Sequence, residues 1–101
     1  MSKPVNIQRR VFVSGRVQGV GFRAAVVEAA TKAPDICGYV KNLSDGRVEA
    51  VFSGPMDQVL SLVAWCRQGP PHAQVSRLEV IEESFDPTLD LMQPRFFLAK
   101  A

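Results

Sequence analysis

The residues with the most chemistry to offer lie in one stretch, Gly15-Arg16-Val17-Gln18-Gly19-Val20-Gly21-Phe22-Arg23. It follows a strand-like run and opens a helix-like one. Its three glycines let the backbone turn tightly enough for several peptide N–H groups to converge on one point. Arg23 then falls in the first helical turn. Converging N–H dipoles, a helix N-terminus and a guanidinium together suit a single oxyanion, a phosphate group above all. A cation at that position opposes the helix macrodipole, at a cost of about 0.3–1 kcal/mol when exposed. No carboxylate in the adjacent loop offsets it, whereas a bound anion would. The spacing G-x-x-x-G-x-G is not the G-x-G-x-x-G of a dinucleotide site, and the Gly-Lys-Ser/Thr of a nucleotide P-loop is missing. Alone, such a loop is more often a simple turn, so its context must decide.

That context is set by the elements on either side. Residues 7–14 are β-branched and aromatic and stop at Gly15, which predicts a strand. Phe22, Ala25, Val26, Ala29 and Ala30 keep the period of an amphipathic helix, which Pro34 stops. Residues 36–42 and 47–53 read as two strands of a hairpin around Asp45-Gly46. Gly54-Pro55 opens a second helix with a stripe of Met56, Val59, Leu60 and Val63, flanked by Leu62 and Cys66, and Gly69-Pro70-Pro71 ends it. Residues 75–82 alternate as a fourth strand, residues 83–94 read as a loop, and residues 95–100 as a short last strand at an edge.

Strand, helix, strand, strand, helix, strand predicts an α+β fold: a ferredoxin-like βαββαβ sandwich, with two helices on one face of an antiparallel sheet and a short C-terminal edge strand added. In that topology the third strand lies between the first two, which run parallel through a right-handed crossover. The glycine loop and Asn42, at the end of the second strand, then meet at one end of the sheet. Asn42 shares the parity of Ile36 and Val40 and so faces the helix-covered side.

Composition narrows the rest. The chain has 101 residues, 47% apolar, with a net charge of +2. This fits a single domain over 1–101 with a real core. The charge is too low to predict nucleic-acid binding, and residues 47–53 lack the Gly-aromatic pattern that stacks bases. Cys37 and Cys66 form no C-x-x-C pair and read as reduced, partly buried thiols. Residues 1–4 have no apolar segment behind them to act as a leader, and no apolar run approaches the ~20 residues that span a bilayer. A cytoplasmic protein is expected, and a monomer, since no exposed apolar stripe demands a partner. His72, after two prolines, reads as an exposed turn residue. Trp65 and Phe52 read as packing, Arg9, Arg10 and Arg16 as solvated charges, with Arg16 adding potential at the pocket mouth. Asp45 and Glu49 read as hairpin and surface residues. No cluster has metal-ligand spacing, and no cofactor is expected.

Three segments together resemble the acylphosphatase family: the stretch at residues 15–23, Gly38-Tyr39-Val40-Lys41-Asn42 followed by Asp45-Gly46-Arg47-Val48-Glu49, and Gly69-Pro70-Pro71-His72-Ala73-Gln74-Val75. The resemblance covers nearly the whole chain. It implies a small, metal-free hydrolase that cleaves acyl phosphates to a carboxylate and inorganic phosphate, both small-molecule partners. Arg23 would bind the phosphate, Asn42 would orient the attacking water, and the amides of Val17, Gln18, Gly19, Val20 and Gly21 would cradle the phosphoryl oxygens. Where the family often carries bulkier residues, this chain has Ala24-Ala25, which implies either a loosely packed first helix or a wider pocket. The proposed chemistry suits these residues. A carboxylate leaving group has a conjugate acid of pKa about 4 and departs unprotonated, so no catalytic acid is needed. The alternative is a non-catalytic module binding phosphate or an acyl phosphate on the same fold.

Overall fold

Alternation along the first strand decides the layering. β1 spans Asn6–Arg16; its Val11 and Val13 are fully buried, while the alternate residues Arg10 and Phe12 point to the other face. A computed structural model describes residues 5–91 and 95–99. Residues 1–4, with the expected absence of a leader, and Pro94 and Lys100, at the margins of the last two expected segments, lie outside them. The remaining elements are α1 (Phe22–Thr31), β2 (Cys37–Asn42), β3 (Val48–Pro55), α2 (Met56–Cys66), β4 (Gln74–Glu83), a 3-10 turn (Pro87–Leu91) and β5 (Phe96–Leu98).

The sheet order is β4-β1-β3-β2-β5. The four long strands pair antiparallel and the short β5 pairs parallel to β2, at its outer edge. Both helices pack on one face, as expected. Phe22, Val26 and Ala30 of α1 and Val59, Leu62, Val63 and Cys66 of α2 share one core with Val11, Val13, Val40, Ala50 and Phe52 of the sheet. Phe96 stacks on Phe52 across Gly38, with ring centroids 5.5 Å apart, and so fixes the edge strand.

The stripe expected on α2 is corrected. Met56 and Leu60 are 41% and 46% exposed, and the flanking Leu62 and Cys66 are buried instead. The sets 56/59/60/63 and 59/62/63/66 both satisfy a 3.6 period. How α2 lies across β1 and β3 selects the second. The Cys66 thiol is pushed up to about 12 by burial and is therefore inert. Neither cysteine is in a disulfide.

The face without helices corrects two further expectations. Glu49 is buried and Arg10 is not a solvated charge. Arg10 Nε donates to Glu83 Oε2 at 2.7 Å, and Arg10 Nη1 lies 3.2 Å from Glu49 Oε2 and donates to the Tyr39 hydroxyl at 3.0 Å. That hydroxyl in turn donates to Glu49 Oε2 at 3.0 Å. Central strands leave little water around such groups, so they pair with one another. Past β4, the short 3-10 turn Pro87–Leu91 follows. The Asp86 N–H before it is held by Gln8 Oε1 at 3.2 Å. His72 and Arg16 are exposed, and Asp45 caps the hairpin by accepting from the Arg47 N–H at 3.0 Å. Among the described residues no helix is long and apolar enough to cross a membrane.

Candidate active site

The glycine loop is built from both ends. Upstream, the β1–β4 register shifts between Ser14 and Gly15, and Val17, 1% exposed, plunges into the core and pins the start of the turn. Downstream, Gly21 caps α1 at φ 81°, with no side-chain cap. Gly19 sits at φ 73°. Both conformations are strained for any L side chain. A Cβ added at either position would meet nothing within 4 Å, so it is backbone geometry and not crowding that requires glycine, and the space in front of the loop is open. The peptide N–H groups of residues 18–21 have no acceptor among the described residues, and the first turn of α1 adds further unpaired donors. Unpaired N–H groups in a run at a helix N-terminus are suited to binding an anion.

The side chain of Gln18 does work that the sequence did not reveal. Its Nε2 donates to the Leu43 carbonyl at 2.8 Å and to the Arg47 carbonyl at 3.0 Å. The loop is thereby tied to the β2–β3 hairpin, next to Asn42. Val20 packs against the core. With the loop held in this way, a cleft of about 150 Å³ opens between Val17, Gly19, Gly21, Phe22, Arg23, Ala24, Asn42 and Leu98. Arg23 and Asn42, expected to meet on topological grounds, both line it. So do Val17, Gly19 and Gly21, while Gln18 and Val20 support it from behind.

Two features of the cleft stand out chemically. Arg23 makes no hydrogen bond or ion pair among the described residues, and no acidic residue lies in the first turn of α1. Asn42 Oδ1 is buried with no hydrogen-bond partner among the described residues. Buried acceptors are normally satisfied, and an orphan costs about 1–3 kcal/mol. A cleft with an idle cation, idle N–H donors and an idle acceptor is suited to an anion with a water beside it. No group of three His, Cys, Asp or Glu side chains converges among the described residues, so no metal centre is formed by them. Leu98 is the lining residue that sequence reasoning missed. Its place depends on β5 pairing with β2, which no local pattern encodes. A larger hollow of about 250 Å³ lies at the opposite end of the sheet, among Asp35, Cys37, Ser53 and Arg95. It has no comparable loop and is not the candidate site.

Comparison with known proteins identifies the family. The profile of the family described as Acylphosphatase matches residues 9–91. An acylphosphatase of Gloeobacter violaceus is 54% identical over 77 residues, covering 76% of this chain and 82% of its own. The structure of an acylphosphatase from Coxiella burnetii superposes with a TM-score of 0.82 at 35% identity, over 98% of this chain and 100% of that one. The crystal structure of acylphosphatase from Bacillus subtilis does so with a TM-score of 0.78 at 37% identity, over 92% and 98%.

Proposed function

This chain belongs to the acylphosphatase family and is an acyl phosphate hydrolase; we propose that it works by direct in-line attack of water on phosphorus, through Arg23, Asn42 and the peptide N–H groups of residues 17–21. The observation that carries this reading is the buried, unpartnered Asn42 Oδ1 in the same cleft as an unpaired Arg23.

The phosphoryl group sits at the loop with its equatorial oxygens on the loop N–H groups and the guanidinium. Phosphoryl transfer asks the protein mainly for positioning and charge stabilisation, because the transition state spreads negative charge over those oxygens. Asn42 Oδ1 accepts an O–H of the water and its amide N–H group can donate to a phosphoryl oxygen. The water's lone pair is thereby aimed along the axis opposite the acyl oxygen. As the new P–O bond forms, the bond to the acyl oxygen breaks and its electron pair leaves with the carboxylate. The carboxylate needs no proton at neutral pH. The protons of the water stay with the phosphate product or pass to solvent. No Ser, Cys, His, Asp or Glu lines the cleft among the described residues, which supports attack by water rather than by an enzyme nucleophile.

The test is turnover of benzoyl phosphate. Hydrolysis should persist in EDTA, and inorganic phosphate should inhibit competitively. Bound phosphate without hydrolysis would replace this reading with that of a carrier module. The same proposal places the protein in the cytoplasm as a monomer that takes small-molecule ligands and no nucleic acid. Buried thiols outside any disulfide are consistent with a reducing compartment, and sedimentation would test the monomer.

A further inference from the structure

The cleft explains recognition of the phosphoryl half and leaves the acyl half unassigned. Gly19, Gly21, Ala24 and Leu98 leave the cleft open to solvent, so an acyl group carried by a phosphoryl group held at the loop lies against this rim. Of the apolar lining residues, Val17 and Phe22 are each 1% exposed and belong to the core. Among the apolar side chains only Ala24 and Leu98 both line the cleft and reach solvent.

Leu98 is held there by the sheet. β5 pairs parallel to β2 with Val40 opposite Leu98, and the Ala99 N–H donates to the Val40 carbonyl at 2.9 Å. Paired residues on neighbouring strands point to the same face, and Asn42 stands two positions beyond Val40 on that face. Leu98 therefore stands beside Asn42, 46% exposed, as an apolar wall next to the attacking-water position. Ala24, on the first turn of α1, contributes only a methyl group and leaves room for a broad group. Among the described residues Arg23 is the one charged residue of the lining, and its charge is engaged by the phosphoryl oxygens.

We propose that Leu98 is a specificity-determining residue: it receives the acyl group and selects aromatic and branched apolar acyl phosphates over acetyl phosphate. The inference rests on the hydrolase reading above. An apolar wall discriminates modestly, since one methylene in a hydrophobic pocket is worth roughly 10–200-fold when fully enclosed and this wall is half open.

The experiment compares kcat/KM for benzoyl phosphate and acetyl phosphate in the wild type, Leu98→Ala and Leu98→Thr, together with the inhibition constant of inorganic phosphate. Leu98→Thr places a β-branched residue, favoured in strands, on the edge strand in case Leu98→Ala loosens it. The benzoyl-to-acetyl ratio should fall about fivefold in both variants, chiefly through KM for benzoyl phosphate, with phosphate inhibition within twofold of wild type. An unchanged ratio in either active variant would overturn the role of Leu98 and leave the hydrolase reading standing. A wild type that hydrolyses neither substrate would overturn both.

Discussion

Arg10 and Arg23 lie on opposite sides of one sheet and illustrate two uses of the same side chain. Arg10 is saturated. It holds Glu83 and Glu49, shares the Tyr39 hydroxyl with Glu49, and its guanidinium is held even more firmly protonated than usual, mainly by the hydrogen bond to Glu83. Arg23 is left without a protein partner among the described residues, beside peptide donors and an amide oxygen that are also unpaired. A polar group that stabilises the fold is satisfied by the fold. One that awaits a ligand is left unsatisfied, and the core bears the cost. The open face of the sheet is thus a stability device and, on the proposed mechanism, the loop end is a reaction device, although each is built around an arginine.

This contrast can be broken experimentally. The largest effect is expected for Arg23→Ala: kcat/KM should fall about 10³-fold, from loss of a transition-state donor, and phosphate should cease to compete. Thermal stability should hold or rise slightly. Asn42→Ala should lower kcat about 10²-fold through lost positioning of water, while phosphate inhibition survives. A full kcat in that variant would remove Asn42 from the mechanism. Arg10→Met should do the reverse, costing about 2 kcal/mol in denaturant unfolding with kcat per folded molecule intact. Breaking a buried pair costs about 3–5 kcal/mol, and the partial exposure of Arg10 reduces that figure. Loss of activity in folded Arg10→Met would end the division of labour.

The smallest effect concerns pH. Hydrogen bonds from Arg10 and Gln8 hold the Glu83 carboxyl below its ordinary range. Its folded pKa is below its unfolded one, so its contribution is complete above the unfolded value and is lost as pH falls through the folded value. Glu83→Gln should therefore be less stable than wild type at neutral pH, with the gap closing in acid. Urea titrations across that range would measure it, and a gap independent of pH would show that Glu83 acts only by packing.

Much of the site was legible in the sequence because its signals are local. The glycines at 19 and 21 announce a left-handed backbone, Arg23 in an uncompensated first turn announces an anion, and the parity of Asn42 follows from a two-residue period. The partners of Arg10 and Glu49 were not legible. Glu49 reads as a surface residue along β3, and only the strand order β4-β1-β3-β2 brings Glu83, Arg10 and Tyr39 around it. The choice between two equally periodic stripes on α2 was likewise invisible, since both satisfy one repeat and only the docking of the helix separates them.

Sequence alone determined the order of elements, the side of the sheet on which the helices lie, the loop and its two polar residues. These follow from periodicity, turn chemistry and chain connectivity, which act over a few residues at a time. Tertiary structure decided that Gln18 clamps the loop to the hairpin, that Glu49 is buried, and that Leu98 walls the cleft beside Asn42. Each of these joins residues far apart in the chain, and such contacts are fixed only when the strands choose their neighbours and register.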